Sequence, residues 1–317
     1  MTCHNCEVQM VKAGKYGKKQ VQRFQCKQCG RRLSEPQNKP LGDVRLPMEK
    51  VQLILHCLVE GNSVRSTARL CDVEKRTVLN LLKSAGDNCE RLFAQRFRNL
   101  PVKDLQLDEI WSYVGKKEGH KWMDEIDNQA IGDAYTFIAL ERDTKLVVAW
   151  HLGKRTAKST NEFIAKLRLA TANNRFQITT DGFTAYPPAI DNTFGADVDY
   201  AQLVKVYGNP EEGREERYSP GRVIDAIPTP VFGEPNIDRI CTSHVERQNG
   251  TLRQWCKRLT RLTYAFSKKW ENLRAALALH FAYYNFCRIH GSLRVTPAME
   301  SGLSDHIWSI NELIGES

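Results

Sequence analysis

A mixed α/β sheet covered by helices on both faces, preceded by a zinc ribbon and a small helical helix-turn-helix domain, is the fold this sequence predicts. Three observations predict it. Two CxxC pairs open the chain, Cys3-His4-Asn5-Cys6 and Cys26-Lys27-Gln28-Cys29, with 19 residues between them. Apolar residues then recur at helical spacing over 48–84, broken at Gly61 and again at the short turn Cys71-Asp72-Val73. From Leu105 the pattern becomes three strands, helix, strand, helix, strand, helix, the order of a layered sheet rather than of a bundle.

Residues 1–36 form the first expected domain. Two thiolates at i and i+3 on a tight turn grip one face of a tetrahedral ion, and a second pair closes the other face. The stretch Gln20–Gln25 leads into the second knuckle as a strand. A segment so small and polar has little core, so bound Zn²⁺ supplies the folding energy. Four thiolates, Cys3, Cys6, Cys26 and Cys29, leave no open position, which makes the metal structural. His4 lies inside a knuckle and is not expected as a ligand. With no apolar signal segment at the N-terminus, the ten cysteines argue against a disulfide framework. The other six (Cys57, Cys71, Cys89, Cys241, Cys256, Cys287) are expected to be buried and reduced.

Pro36 to Pro47 reads as a linker, and 47–100 as the second domain. Val51, Ile54, Leu55 and Leu58 lie on one stripe of a helix over 48–60, stopped by Gly61. Asn62 or Ser63 caps a short helix, Val64–Leu70. Cys71-Asp72-Val73 then turns into a helix over Glu74–Ser84, with Val78, Leu81 and Leu82 inward. Helix, short turn, helix at this size predicts a helix-turn-helix. Its second helix would offer Lys75, Arg76, Thr77 and Asn80 to DNA base edges.

The third domain spans 101–300. Strands are expected over Leu105–Val114, Ala134–Leu140, Lys145–Leu152, Phe176–Thr180 and Ala201–Tyr207. Helices are expected over Thr160–Ala172, about 183–190, Cys241–Leu262 and Lys268–Cys287. The stretch 208–240 holds five prolines and the charge run Glu211–Arg217, so it reads as a long surface insertion or flap. Residues 301–317 read as a C-terminal tail. This element order is the one ribonuclease-H-like nucleases use.

The net charge of +9 is concentrated in two blocks. Residues 1–40 hold nine Lys/Arg against two acids, and 244–294 hold ten against two. Two basic blocks in one chain suggest two contacts with a polyanion. No apolar run approaches the ~18–20 residues that span a bilayer. A cytoplasmic, nucleoid-associated protein without membrane contact is therefore expected.

Within the second basic block stands a lone early carboxylate, Glu246. Phosphoryl transfer on nucleic acid uses two divalent cations roughly 3.5–4 Å apart, and hard cations take oxygen ligands. The element order supplies three candidates from different elements: Asp108 in the first strand, Asp181 ending the fourth, and Glu246 on the following helix. Glu109 and Asp104 have the same chemistry as Asp108, and spacing does not choose among them. At about 100° per residue, Val245, Leu252, Cys256 and Leu259 form a buried stripe. Glu246, Asn249, Arg253 and Lys257 fall on the adjacent flank, a carboxylate bordered by a phosphate track.

Leu107-Asp108-Glu109-Ile110-Trp111-Ser112-Tyr113-Val114-Gly115, Thr180-Asp181-Gly182, and Val245-Glu246-Arg247-Gln248-Asn249 with Phe266-Ser267-Lys268 resemble the insertion-sequence-one family of DDE transposases. That resemblance covers nearly the whole chain. It implies a ribonuclease-H-like catalytic core, with Asp108, Asp181 and Glu246 as the triad holding Mg²⁺ (two per site, or Mn²⁺). It implies a zinc ribbon and helix-turn-helix that bind terminal inverted repeats, while the basic flank beside Glu246 would offer Arg247, Asn249, Arg253 and Lys257 to DNA. Strand cleavage and 3′-hydroxyl transfer into target DNA would follow, carried out by a homodimer or larger assembly. The run Tyr284–His290 resembles C-terminal segments of other insertion-element transposases, with Arg288 and His290 expected to finish a helix. The 64 residues between Asp181 and Glu246 exceed the family's shortest spacing, and the segment past His290 is additional. Two other readings compete: a DNA-binding regulator with a non-catalytic α/β dimerisation domain, and a stand-alone nuclease. Three converging carboxylates are of no use to the first, and the second leaves the N-terminal DNA reader unexplained.

Overall fold

The computed structural model describes residues 1–3, 5–17, 20–35, 41, 44, 46–208 and 223–315. The chain divides into two compact units, Met1–Lys39 and Pro40–Ser317.

In the first unit β1 (Val11–Tyr16), β2 (Val21–Gln25) and β3 (Arg32–Ser34) form an antiparallel sheet in that order. The two knuckles are built alike. Cys3 N–H donates to Val8 O and Cys3 O accepts from Glu7 N; Cys26 N–H donates to Arg31 O and Cys26 O accepts from Gly30 N. Each turn closes on left-handed backbone, at Glu7 (φ 54°) and Gly30 (φ 72°). The buried apolar set is Cys3, Met10 and Cys26, with Cys6, Phe24 and Leu33 against them. So small a set cannot hold a sheet by burial alone. His4 and most of the expected linker lie outside the described residues.

The second unit begins with α1 (Met48–Val59), α2 (Val64–Leu70) and α3 (Lys75–Arg96). Ser63 caps α2, its hydroxyl accepting from Ser66 N at 3.0 Å. The third helix runs well past Ser84, its expected end. The continuation buries Ala85, Gly86, Cys89 and Leu92, and α3 packs along α7 (Trp270–Phe286). Gly86, which weakens a helix judged on propensity, is what lets the two helices approach: a Cβ there would stand 2.5 Å from Ala275 Cα. These helices and the sheet share one hydrophobic core.

That sheet contains β4 (Asp104–Val114), β5 (Gly132–Glu141), β6 (Val147–Gly153), β7 (Phe176–Thr180), β8 (Val198–Tyr207) and β9 (Val223–Phe232). Their spatial order is β6-β5-β4-β7-β8-β9. β4, β5 and β6 pair antiparallel, β7 and β8 join β4 in parallel, and β9 returns antiparallel on β8. The order third, second, first, fourth, fifth is compatible with a ribonuclease-H-like core. Alternation along β4 defines two faces. Glu109 aligns with Phe137, whose ring lies 5.6 Å from Phe163 of α4 (Ala157–Ala170). Asp108 aligns with Ile138 and so with Trp150, whose ring lies 5.6 Å from Phe281 of α7. Asp108 and Glu109 thus belong to opposite faces. α5 (Tyr186–Phe194) packs beside α4, and α6 (Ser243–Trp255) packs on β4 and β5.

Further expectations change. The stretch 208–240 is not wholly a flap, because Val223–Phe232 extends the sheet as β9; the charge run 211–217 lies outside the described residues. Pro228 and Pro230 are tolerated because β9 is an edge strand, which needs no second row of ladder donors. The segment 301–317 is not merely a tail. Ile310, Leu313 and Ile314 of α8 (Ile310–Gly315) are buried, and Asn88 of α3 donates to Ile314 O at 2.9 Å. The helix expected over Cys241–Leu262 stops at Trp255, with Cys256 extended and a 3₁₀ turn over Lys257–Leu259. The Thr260 hydroxyl donates to the Arg253 carbonyl at 2.9 Å, replacing the bond a continuing helix would make there. Among the cysteines, all free, Cys71, Cys89 and Cys256 are buried, whereas Cys57, Cys241 and Cys287 are only half-buried.

Gly86→Ala gains helix propensity but forces a methyl into Ala275. The expected outcome is a net destabilisation of ~1–3 kcal/mol, measured as a lower denaturant midpoint with an unchanged slope.

Candidate active site

The first carboxylate is positioned by strand register. β4 and β7 pair in parallel, with Leu107 opposite Thr180, so Asp108 and Asp181 are the next residues on neighbouring strands. The end of β7 is pinned: Asp181 O accepts from the Thr180 hydroxyl at 2.8 Å and from Gln202 Nε2 at 3.0 Å. The Asp181 carboxylate in turn accepts from Phe183 N at 3.0 Å. Being beyond the last ladder pair, Asp181 reaches carboxylates on both faces of β4. Oxygens of Asp108, Glu109 and Asp181 all lie within 4.8 Å of one another.

Helix α6 is docked against the same strand. Gln106 Oε1 accepts from His244 N at 3.0 Å and Val245 N at 3.2 Å, two first-turn donors that would otherwise lack partners. With that end fixed, Asn249 Nδ2 donates to Asp108 Oδ2 at 2.8 Å, while Glu109 N donates to Oδ1 at 2.8 Å. Glu246 is not in the three-carboxylate cluster. It bonds Lys205 of β8 and the Thr242 hydroxyl, although its charge is near enough to act on Asp108. Lys205, Gln106 and the Asn249 contact had no signal in the sequence, since each depends on contact between elements distant along the chain.

Of the rivals to Asp108, Asp104 is occupied elsewhere, paired with Arg239 at 2.9 Å and Arg142 at 3.4 Å. Glu109 faces Arg155 at 3.8 Å, whose guanidinium lies 4.1 Å over the Phe183 ring.

Burial pushes the Asp108 carboxyl up to about 7, and the Asp181 and Glu246 charges add to this. Burial, followed by Asp181, pushes Glu109 up to about 8. Carboxylates so placed hold protons near neutrality unless a cation replaces them. The donor set fits a hard divalent ion: clustered oxygens from different elements, with Glu109 Oε1 buried and lacking a hydrogen-bond partner.

The basic side chains expected along α6 differ in exposure and in the element that carries them. Arg247 is exposed and Arg253 half-buried, with a buried Nε lacking a hydrogen-bond partner. Lys257 is exposed but belongs to the 3₁₀ turn, not to the flank of α6. On α3, Lys75, Arg76 and Asn80 are exposed and Thr77 half-buried, all in the first two turns. Arg288 finishes α7 but does more. Its guanidinium lies 3.8 Å over the Trp255 ring and bonds Glu60 at 2.8 Å, tying the end of α6 to α1.

In the first unit the sulfurs of Cys3, Cys6, Cys26 and Cys29 lie within 4.8 Å of one another, with Cys3 and Cys29 at 3.6 Å. A Zn–S bond of ~2.3 Å implies tetrahedral edges of ~3.8 Å, so the four thiols fit the ion. Without it their environments diverge. Backbone donors pull Cys3 down to about 7, while the Cys29 thiol and burial push Cys6 up to about 12.

No protein-family model and no curated protein sequence matches the chain. Among solved structures it is similar to a piggyBac transposase in a synaptic complex with hairpin DNA. That similarity has 11% sequence identity and a TM-score of 0.38, over 83% of this chain and 68% of the other. No helix among the described residues is long and apolar enough to cross a membrane.

The folded pKa values of Asp108 and Glu109 exceed their unfolded ones, so the metal-free fold binds protons more tightly. It should lose stability as pH rises from about 4 to about 8. A divalent cation removes that penalty. The rise in melting temperature on adding Mg²⁺ or Mn²⁺ is therefore expected to grow between about pH 6 and about pH 8.5. Asp108→Asn should melt higher than wild type at the alkaline end without metal and lose most of the metal-induced rise.

Proposed function

We propose that this chain is a DDE transposase, cutting DNA at the ends of a mobile element and joining the freed 3′-hydroxyl to target DNA. The observation that carries the reading is the meeting of an Asp108 oxygen, from the middle of β4, with an Asp181 oxygen just past the end of parallel β7, beside Asn249 and Arg253 of α6. The insertion-sequence-one resemblance of the motifs supplies the family.

In this reading Asp108, Asp181 and Glu246 hold the cations. Divalent ions bound there supply activation of the attacking oxygen and stabilisation of the leaving oxygen. Glu246 is preferred to Glu109 as third ligand because it shares the α6 side of β4 with Asp108. Glu109 belongs to the opposite face. Lys205 then acts as the counter-ion of Glu246 until a cation takes its place. Asn249 holds Asp108 in one orientation through the 2.8 Å bond. Arg247, Arg253 and Lys257 hold backbone phosphates, and their contribution weakens with salt. The four-cysteine ribbon and the exposed start of α3 read the terminal inverted repeats, with Lys75, Arg76, Thr77 and Asn80 facing the major groove. Two ends must be brought together, so a homodimer or larger assembly is the working form.

Incubation with labelled element-end DNA and Mg²⁺ tests the reading. Wild type should nick it, and Asp181→Ala should be slower by at least ~10²-fold; equal cutting by both would remove the site. Glu246→Gln should approach the Asp181→Ala loss and Glu109→Gln should lose less; the reverse order would make Glu109 the third ligand. Stripping zinc with a chelator should expose all four ribbon thiols to alkylation and weaken end binding more than cutting of generic duplex.

A further inference from the structure

The loop after α6 carries side chains that neither the carboxylate site nor the core uses. Leu262 is 79% exposed and Tyr264 99% exposed. Leu262 is also held at φ 54°, left-handed backbone that a leucine avoids. The Thr263 hydroxyl accepts from Ala265 N at 3.1 Å and fixes the turn between them. Two large apolar side chains are thus presented to solvent on a defined loop. Burial in the fold does not explain that arrangement.

Beside this tip lies a cavity of about 890 Å³ between α1–α3, α7 and the segment 255–268, with Tyr264 on its wall. Lys75, Lys257 and Lys268 bring positive charge to it, and Trp255 an aromatic ring. Arg258 and His280 also line it. Arg258 is tethered by Nη1 to the Ser267 hydroxyl at 2.8 Å, while its Nη2 is buried without a hydrogen-bond partner, as is His280 Nε2. Buried polar atoms of this kind call for an acceptor or donor brought by a ligand. Cations, an aromatic ring and unsatisfied hydrogen-bonding groups together suit a planar, hydrogen-bonding ring attached to a phosphate. The volume is within the range of pockets for small molecules.

We infer that Leu262 and Tyr264 act as a wedge that enters a DNA duplex, and that the cavity takes the single nucleotide so displaced. Its phosphate lies among Lys257, Arg258 and Lys268, and its base lies against Trp255. A free nucleotide would fit the same chemistry but gives no purpose to an exposed Leu/Tyr tip, whereas apolar wedges unstack duplex steps. The inference rests on DNA being the substrate. It adds a second point of engagement, reached from Asp108 along Arg253 and the end of α6.

The test uses the full chain and short duplexes with 2-aminopurine at successive positions, either paired or in a one-nucleotide bulge, in metal-free buffer. Wild type should raise the fluorescence of a paired 2-aminopurine and bind the bulged duplex roughly tenfold more tightly, because an unpaired nucleotide is cheaper to extrude. Tyr264→Ala should lose both effects and Tyr264→Phe should keep both. An unchanged melting temperature for Tyr264→Ala would show that the loss is not unfolding. Binding with no fluorescence rise and no bulge preference overturns the inference while leaving DNA as substrate. Unchanged signals in Tyr264→Ala overturn the wedge. Failure to bind either duplex sinks both the inference and the proposed function.

Discussion

Like charges repel, and burial removes the water that would otherwise screen them. The strand register nevertheless brings Asp108 and Asp181 side by side, with Glu109 within reach. That crowding is the constraint on which the second unit depends. Burial first, and then the neighbouring Asp181 charge, lift Asp108 and Glu109 out of the ordinary carboxylate range. Much of the surrounding structure serves to keep the cluster in place. Gln106 fixes the start of α6, Asn249 holds Asp108, and Gln202 with Thr180 pins the end of β7. A protein that needed only a stable sheet would put leucines there. Proteins accept such a cost where a cation or substrate repays it.

The first unit repeats the argument with sulfur in place of oxygen. Two knuckles with matching backbone hydrogen bonds converge four thiols on one point, and the apolar set around them is too small to hold the fold. One ion would resolve the thiol clash and close the unit in a single step. The two centres differ in what they leave open. Four thiolates saturate a tetrahedral ion, whereas three carboxylates leave coordination positions for phosphate and water.

Within the second unit, α6 is the connecting element. Its first turn is capped by β4, its middle touches Asp108, and its last residue, Trp255, lies under Arg288, which pairs with Glu60 of α1. Gly61, at φ 81°, lets the α1–α2 turn approach Gln254 O, from which a Cβ would stand only 3.0 Å away. Displacement of α1 and α2 therefore bears on the helix that carries Glu246 and Asn249.

The sequence by itself determined what depends on local spacing. The CxxC pairs were legible from their spacing, and the strand over Phe176–Thr180, the helix over Val64–Leu70 and the inward stripe of α1 from periods of two and 3.6 residues. The ends of α3 and α6 were not: the first is prolonged by contact between Gly86 and Ala275, the second is stopped by Thr260 folding back on Arg253. The strand over Val223–Phe232 was hidden by prolines that only an edge position excuses. The carboxylates were legible as candidates, but spacing could not set Asp104 apart from Asp108 and Glu109, nor show that Lys205 engages Glu246. Tertiary structure decided those matters, because distances between residues far apart in the chain are set by strand register and helix packing, which no local period encodes.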